Sequence, residues 1–179
     1  MSEEIERPLD LSELFRVLAE RGVDYLVIGG VAAQVHGRRR TTRDLDVLPA
    51  PTSENFKRLE AALLALEASP VELGPGGPTP TAEQMRLAPI VPPLRTLHGD
   101  LHILNEVPGA RDYEGMRERA LTIALDGMTM QIVGVDDLIR MKKAAGRLGD
   151  LEDIEALSRV ADREGSSEGD QSKGDEAEG

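Results

Sequence analysis

The spacing of apolar positions changes several times along the chain, and each change marks an element. Leu11, Leu14, Phe15 and Leu18 fall on one helical face behind Asp10 and Glu13, which stand in capping-box spacing, and Gly22 follows as a stop. Tyr25 to Ile28 is a short, wholly apolar run, the pattern of a buried strand. Gly29 and Gly30 come next, then a short helical piece over Val31 to His36 that Gly37 ends. Arg43 to Leu48 alternates charged and apolar residues, which is strand periodicity, and Pro49 and Pro51 close it. Thr52 or Ser53 caps a helix whose apolar face holds Phe56, Leu59, Leu63 and Leu66. Ser69 to Thr81 is rich in Pro and Gly and reads as a mobile loop.

The second half continues the alternation. A short helix is expected over Ala82–Leu87 and strands over Leu94–Leu97 and Leu101–Leu104. Asp112–Arg119 reads as helical, and Leu121–Leu125 with Met128–Val133 reads as a hairpin around Asp126-Gly127. Asp136 is expected to cap a helix that runs to Ala145. Asp150 starts a last helix, with Leu151, Ile154, Leu157 and Val160 on one face. The order of elements predicts an α/β (α+β) fold with a small mixed sheet flanked by helices and a C-terminal helical portion. One globular unit over 1–161 is expected, with its core at about 10–134 and C-terminal helices at 135–161. Residues 162–179 carry seven acids, two bases and almost nothing apolar, so they are expected to be a disordered acidic tail.

Composition narrows the function classes. The chain has 179 residues, a formal net charge of −12 and no cysteine. Disulfides, thiolate metal sites and cysteine nucleophiles are thereby excluded. Two Phe, two Tyr and no Trp leave few rings for stacking single-stranded bases. An acidic body disfavours general binding of duplex DNA. No apolar run reaches the roughly 20 residues of a membrane span, and Met1 to Arg7 lacks a basic-then-apolar signal, so a cytoplasmic protein is expected.

Chemistry concentrates between Ile28 and Asp46. Backbone amides at a Gly29-Gly30 turn after a strand suit a phosphate, although such a pair is also an ordinary tight turn. Asp44 and Asp46 lie two apart on a strand, so both carboxylates face one way. Adjacent like charges repel unless a cation lies between them, and Mg²⁺ favours carboxylates together with substrate phosphates. Arg38, Arg39, Arg40 and Arg43 precede and approach the two acids. Their guanidinium forks match phosphate oxygens, or simply balance the aspartates.

Gly29-Gly30, thirteen residues and then Asp44-x-Asp46 resemble the signature of the DNA polymerase β-type nucleotidyltransferase superfamily. The string from Ile28 to Leu48 is similar to small bacterial nucleotidyltransferase-like proteins, including the AbiEii/MenT-type toxins of toxin–antitoxin systems. Val135 to Arg147, then Asp150 to Ile154, resemble the lysine-bearing helix and the following Asp-containing helix of those proteins. The resemblance spans about residues 10–161. It implies that Gly29 and Gly30 hold a triphosphate and that Asp44 and Asp46 bind Mg²⁺ (or Mn²⁺). It further implies that Arg40, Arg43 and Lys142 neutralise phosphate charge and that Asp150 has a catalytic or helix-capping role. Relatives place a third acid where His102 stands. Asp100, one strand period away on the same face, supplies that carboxylate, or His102 binds the metal, or the site is degraded.

The implied reaction moves a nucleotide from an NTP to a hydroxyl of an RNA end (tRNA among them), a protein or a small molecule, as the toxin of a pair with a cognate antitoxin. The alternative is a non-catalytic nucleotide-binding or regulatory protein on the same fold.

Overall fold

A computed structural model describes residues 8–39 and 41–168. Among the described residues seven strands form a single mixed sheet. They are β1 (Tyr25–Ile28), β2 (Asp44–Pro49), β3 (Ser69–Pro70), β4 (Leu94–Thr96), β5 (Gly99–Ile103), β6 (Leu121–Leu125) and β7 (Met128–Ile132). Their order across the sheet is β3-β4-β5-β2-β1-β7-β6. Pairs β2–β5 and β1–β7 are parallel and the remainder antiparallel. The helices are α1 (Leu11–Glu20), α2 (Gly29–Val35), α3 (Ser53–Ala65), α4 (Ala82–Leu87), α5 (Tyr113–Glu118), α6 (Val135–Ala145) and α7 (Asp150–Glu168). The expected α/β architecture with a mixed sheet and flanking helices is what the chain adopts.

Alternation along β2 and β5 makes the sheet two-sided at its centre. Leu45, Val47, Leu101 and Ile103 are fully buried in the core, which also takes Leu14 and Leu18 of α1 and Leu59 and Leu63 of α3. The residues between them, Asp44, Asp46, Asp100 and His102, share the opposite face and are half-buried. Helix α2 packs on β1 and β2, α6 packs on α2, and α7 packs on α6. This stack brings the C-terminal helices to the polar side of the sheet. His36 at the end of α2 links it to the end of β7, its Nε2–H donating to the Val133 carbonyl at 2.8 Å.

Several expectations change. Gly29 and Gly30 form the first turn of α2 rather than a separate loop before it. Asp136 lies inside α6, whose N-cap is Gly134; a Cβ there would meet the Arg119 carbonyl at 2.8 Å. The Pro/Gly segment supplies β3 and a 3₁₀ turn at Val71–Leu73. Ser69 Oγ–H donates to the Gly74 carbonyl at 3.0 Å and Thr79 Oγ1–H to the Ala68 carbonyl at 2.7 Å. Leu151 points outward, whereas Leu157 of the expected face is buried; α7 also buries Asp150 and Asp153. Helix α7 continues to Glu168, past the expected start of the tail at Asp162. The expectations for residues 169–179 and for Arg40 lie outside the described residues. Among the described residues no helix is long and apolar enough to cross a membrane.

Candidate active site

The site begins with strand register. Asp44 pairs across β2–β5 with Asp100, and Asp46 pairs with His102. Cross-strand partners stand side by side, so the imidazole is carried to the Asp pair by the sheet itself. His102 Nδ1–H donates to Asp46 Oδ1 at 3.0 Å and lies 3.5 Å from Asp44 Oδ2. One ligand atom from each of Asp44, Asp46 and His102 lies within 4.8 Å of the others. The hydrogen bond to Asp46 is the main influence holding the imidazole above its ordinary pKa; burial opposes it, and the charges of Asp46, Asp44 and Asp100 add to it. A cation bound through Nδ1 would have to displace that proton.

Asp100 is on the same face but is engaged elsewhere. Its antiparallel partner on β4 is Arg95, whose Nε and Nη2 donate to Oδ1 at 3.0 Å and Oδ2 at 3.2 Å. This two-bond fork is strong and directional. Of the two candidates for completing the Asp pair, His102 is the one brought against it.

Glycine supplies the space. Gly29 has φ +65°, and a Cβ on it would fall 1.9 Å from Asp46 Oδ2, 2.7 Å from Cγ and 2.9 Å from Cβ. A Cβ on Gly30 would fall 2.6 Å from Thr42 Oγ1. Thr42 in turn donates to Asp44 Oδ1 at 3.1 Å. The Gly-Gly turn thus lets both acidic arms fold over the start of α2, a demand that turn propensity alone does not express.

Gly29, Gly30, Arg43, Lys142 and Asp150 line the same cleft as Asp44, Asp46 and His102, with a volume of about 590 Å³. Arg147 and Thr42 also line it. Arg147 was not singled out from the sequence; its signal is its place five residues after Lys142, just beyond the helix. Lys142 is buried, and its Nζ donates to Asp150 Oδ1 and Asp153 Oδ2, both at 2.9 Å. Asp150 is the first residue of α7 and turns its carboxylate to this ammonium. Arg38 reaches Asp153 at 2.7 Å and Glu152 at 3.1 Å rather than the Asp pair. The arginine run therefore divides, with Arg38 fastening α7 and Arg43 lining the cleft.

The donor chemistry suits a divalent cation: two carboxylates and an imidazole converge at a partly exposed point, with glycine in place of bulk beside them. Around them Arg43 and Arg147 place positive charge in the same cleft, while the Lys142 ammonium is already matched by Asp150 and Asp153; acids beside guanidinium groups suit a metal-bound polyanion.

No protein family model matches the chain, and neither does any curated protein. Among solved structures it is similar to a Thermotoga maritima protein described as a "putative nucleotidyltransferase". The two are 13% identical, with a TM-score of 0.48 over 86% of this chain and 91% of that one.

Proposed function

We propose that the protein is a metal-dependent nucleotidyltransferase. The observation that carries this reading is the convergence of Asp44, Asp46 and His102 in a cleft also lined by Gly29, Gly30, Arg43, Arg147 and Lys142. The acceptor oxygen forms a bond to the α-phosphorus of an NTP, the α–β phosphoanhydride bond breaks, and pyrophosphate leaves. A divalent cation, when bound, would stabilise the developing charge and make the hydroxyl more acidic, the proton passing to solvent. Asp44, Asp46 and His102 would hold the cation, and Thr42 orients Asp44. Arg43 and Arg147 pair with phosphate oxygens. Lys142, held between Asp150 and Asp153, fixes the start of α7 against α6 and so shapes the wall of the cleft. The Gly29-Gly30 turn admits the Asp46 carboxylate to the same point. The acceptor is a hydroxyl on an RNA end, a protein or a small molecule, and a toxin role in a pair with a cognate partner follows from the motif resemblance.

The test is pyrophosphate release from each NTP, with divalent cation, against separate RNA, protein and small-molecule fractions of a bacterial extract. Release with one fraction, lost in Asp44→Asn, is expected. Undiminished release by Asp44→Asn refutes the assignment. A second reading, a non-catalytic nucleotide-binding module, is favoured by the engagement of Asp100 with Arg95. It predicts saturable NTP binding with no release from any fraction.

A further inference from the structure

The polar face of β2 and β5 carries four side chains able to ligate a cation, and the fold offers three of them together. Asp100 is the only one whose recruitment would complete an all-carboxylate trio, and Arg95 grips both of its oxygens, at 3.0 and 3.2 Å. That grip is set by the β4–β5 register, which places Arg95 directly across from Asp100. His102 sits across from Asp46, with Nδ1 3.0 Å from one carboxylate and 3.5 Å from the other. The convergent donors are therefore two oxygens and one nitrogen.

Donor type selects among cations. Mg²⁺ takes oxygen ligands in a near-ideal octahedron and keeps several waters. Imidazole nitrogen favours first-row transition cations, and carboxylates accommodate those at the hard end of the series as well. The geometry points to a site tuned by His102 for a transition cation of the Mn²⁺ class in preference to Mg²⁺, with Arg95 as the positioning residue that withholds Asp100. This inference rests on the proposed function only in taking Asp44 and Asp46 as cation ligands.

The test uses the full chain and two cations, Mn²⁺ and Mg²⁺. Isothermal titration gives the affinity for each in the wild type, His102→Asp, Arg95→Gln and Asp44→Asn. Pulsed electron paramagnetic resonance of the Mn²⁺-loaded wild type reads nitrogen coupling directly and needs no variant to fold. The inference expects coupling to an imidazole nitrogen that disappears in His102→Asp. It also expects the Mn²⁺-to-Mg²⁺ affinity ratio to fall at least about tenfold in that variant. Arg95→Gln should lower the ratio as well, by releasing Asp100. Bound Mn²⁺ with no nitrogen coupling, or a ratio unchanged in His102→Asp, overturns the inference. If binding is nonetheless lost in Asp44→Asn, the cation site itself stands. Nitrogen coupling and selectivity without nucleotide transfer would uphold the inference and refute the proposed reaction. Failure of the wild type to bind either cation would overturn both.

Discussion

Gly29→Ala is the most informative single change in the cleft. Two costs can be worked from the structure. The first is backbone: at φ +65° an L-residue is strained by about 1–2 kcal/mol. For a chain of this size, that alone lowers Tm by about 2–8 °C. The second is steric. Carbon atoms pack at roughly 3.5–4.0 Å. The new Cβ would fall 2.9 Å from the Asp46 Cβ and 1.9 Å from its Oδ2. Rotating the carboxylate relieves the shorter contact but not the one to Cβ, so β2 and the start of α2 must separate, and Asp46 is expected to leave the trio. Scanning calorimetry with and without Mn²⁺ separates the two costs. At a cation concentration about 100 times Kd the wild type gains about 2.7 kcal/mol, or about 5–11 °C in Tm. Gly29→Ala should melt lower in buffer and gain almost nothing from the cation. Gly149→Ala, at a cleft-lining glycine with nothing within 4 Å of its would-be Cβ, should behave as the wild type. A wild-type cation response in Gly29→Ala would refute the reasoning.

Other expectations concern the frame around the cleft. Lys142→Met leaves the buried carboxylates of Asp150 and Asp153 without their shared ammonium and should cost about 3–5 kcal/mol in urea unfolding. Adding Asp150→Asn to it should recover part of that loss, and no recovery would argue against a charge origin. Burial acts on Asp137 to raise its pKa, but hydrogen bonds and charge from Arg119 and Arg140 outweigh it and hold the carboxyl below its ordinary value. A lowered folded-state value means this stabilisation is full above the ordinary carboxyl range and is lost as pH falls through the lowered one. Asp137→Asn should therefore reduce stability at neutral pH and flatten the acid limb of a stability–pH curve, whereas an unchanged acid limb would contradict the assignment. Arg38→Ala removes the links to Asp153 and Glu152, so amide exchange in the first turns of α7 should accelerate while β1 and β2 stay protected.

The polar face was legible because strand periodicity is local. Asp44 and Asp46 announce their common face two residues apart, and Asp100 and His102 announce theirs in the same way. Which member of the second pair would meet the first depended on register between strands more than 50 residues apart, and local pattern does not encode that. The engagement of Asp100 was hidden for the same reason, since Arg95 finds it through the β4–β5 pairing. Arg38 was grouped with the acids nearest in sequence, yet it bonds to Asp153, a partner supplied by the stacking of α7 on α6 and α6 on α2. The apolar stripe of α7 does not extend to Leu151 because the buried face there is built around the Asp150 and Asp153 ion network, which mimics a polar surface in a hydropathy pattern. The glycine pair was noticed for phosphate, while its visible structural service is to admit Asp46 and Thr42.

The proposed reaction moves the nucleotidyl group of an NTP to an acceptor in this cleft. Parallel reactions with α-labelled and γ-labelled NTPs, Mn²⁺ and total bacterial RNA, protein and small-molecule extract test it most directly. The α label is expected to become attached to an acceptor and the γ label to appear only in pyrophosphate, with both signals lost in Asp44→Asn and Asp46→Asn. Attachment of the γ label, or α-label transfer undiminished in those variants, would contradict it.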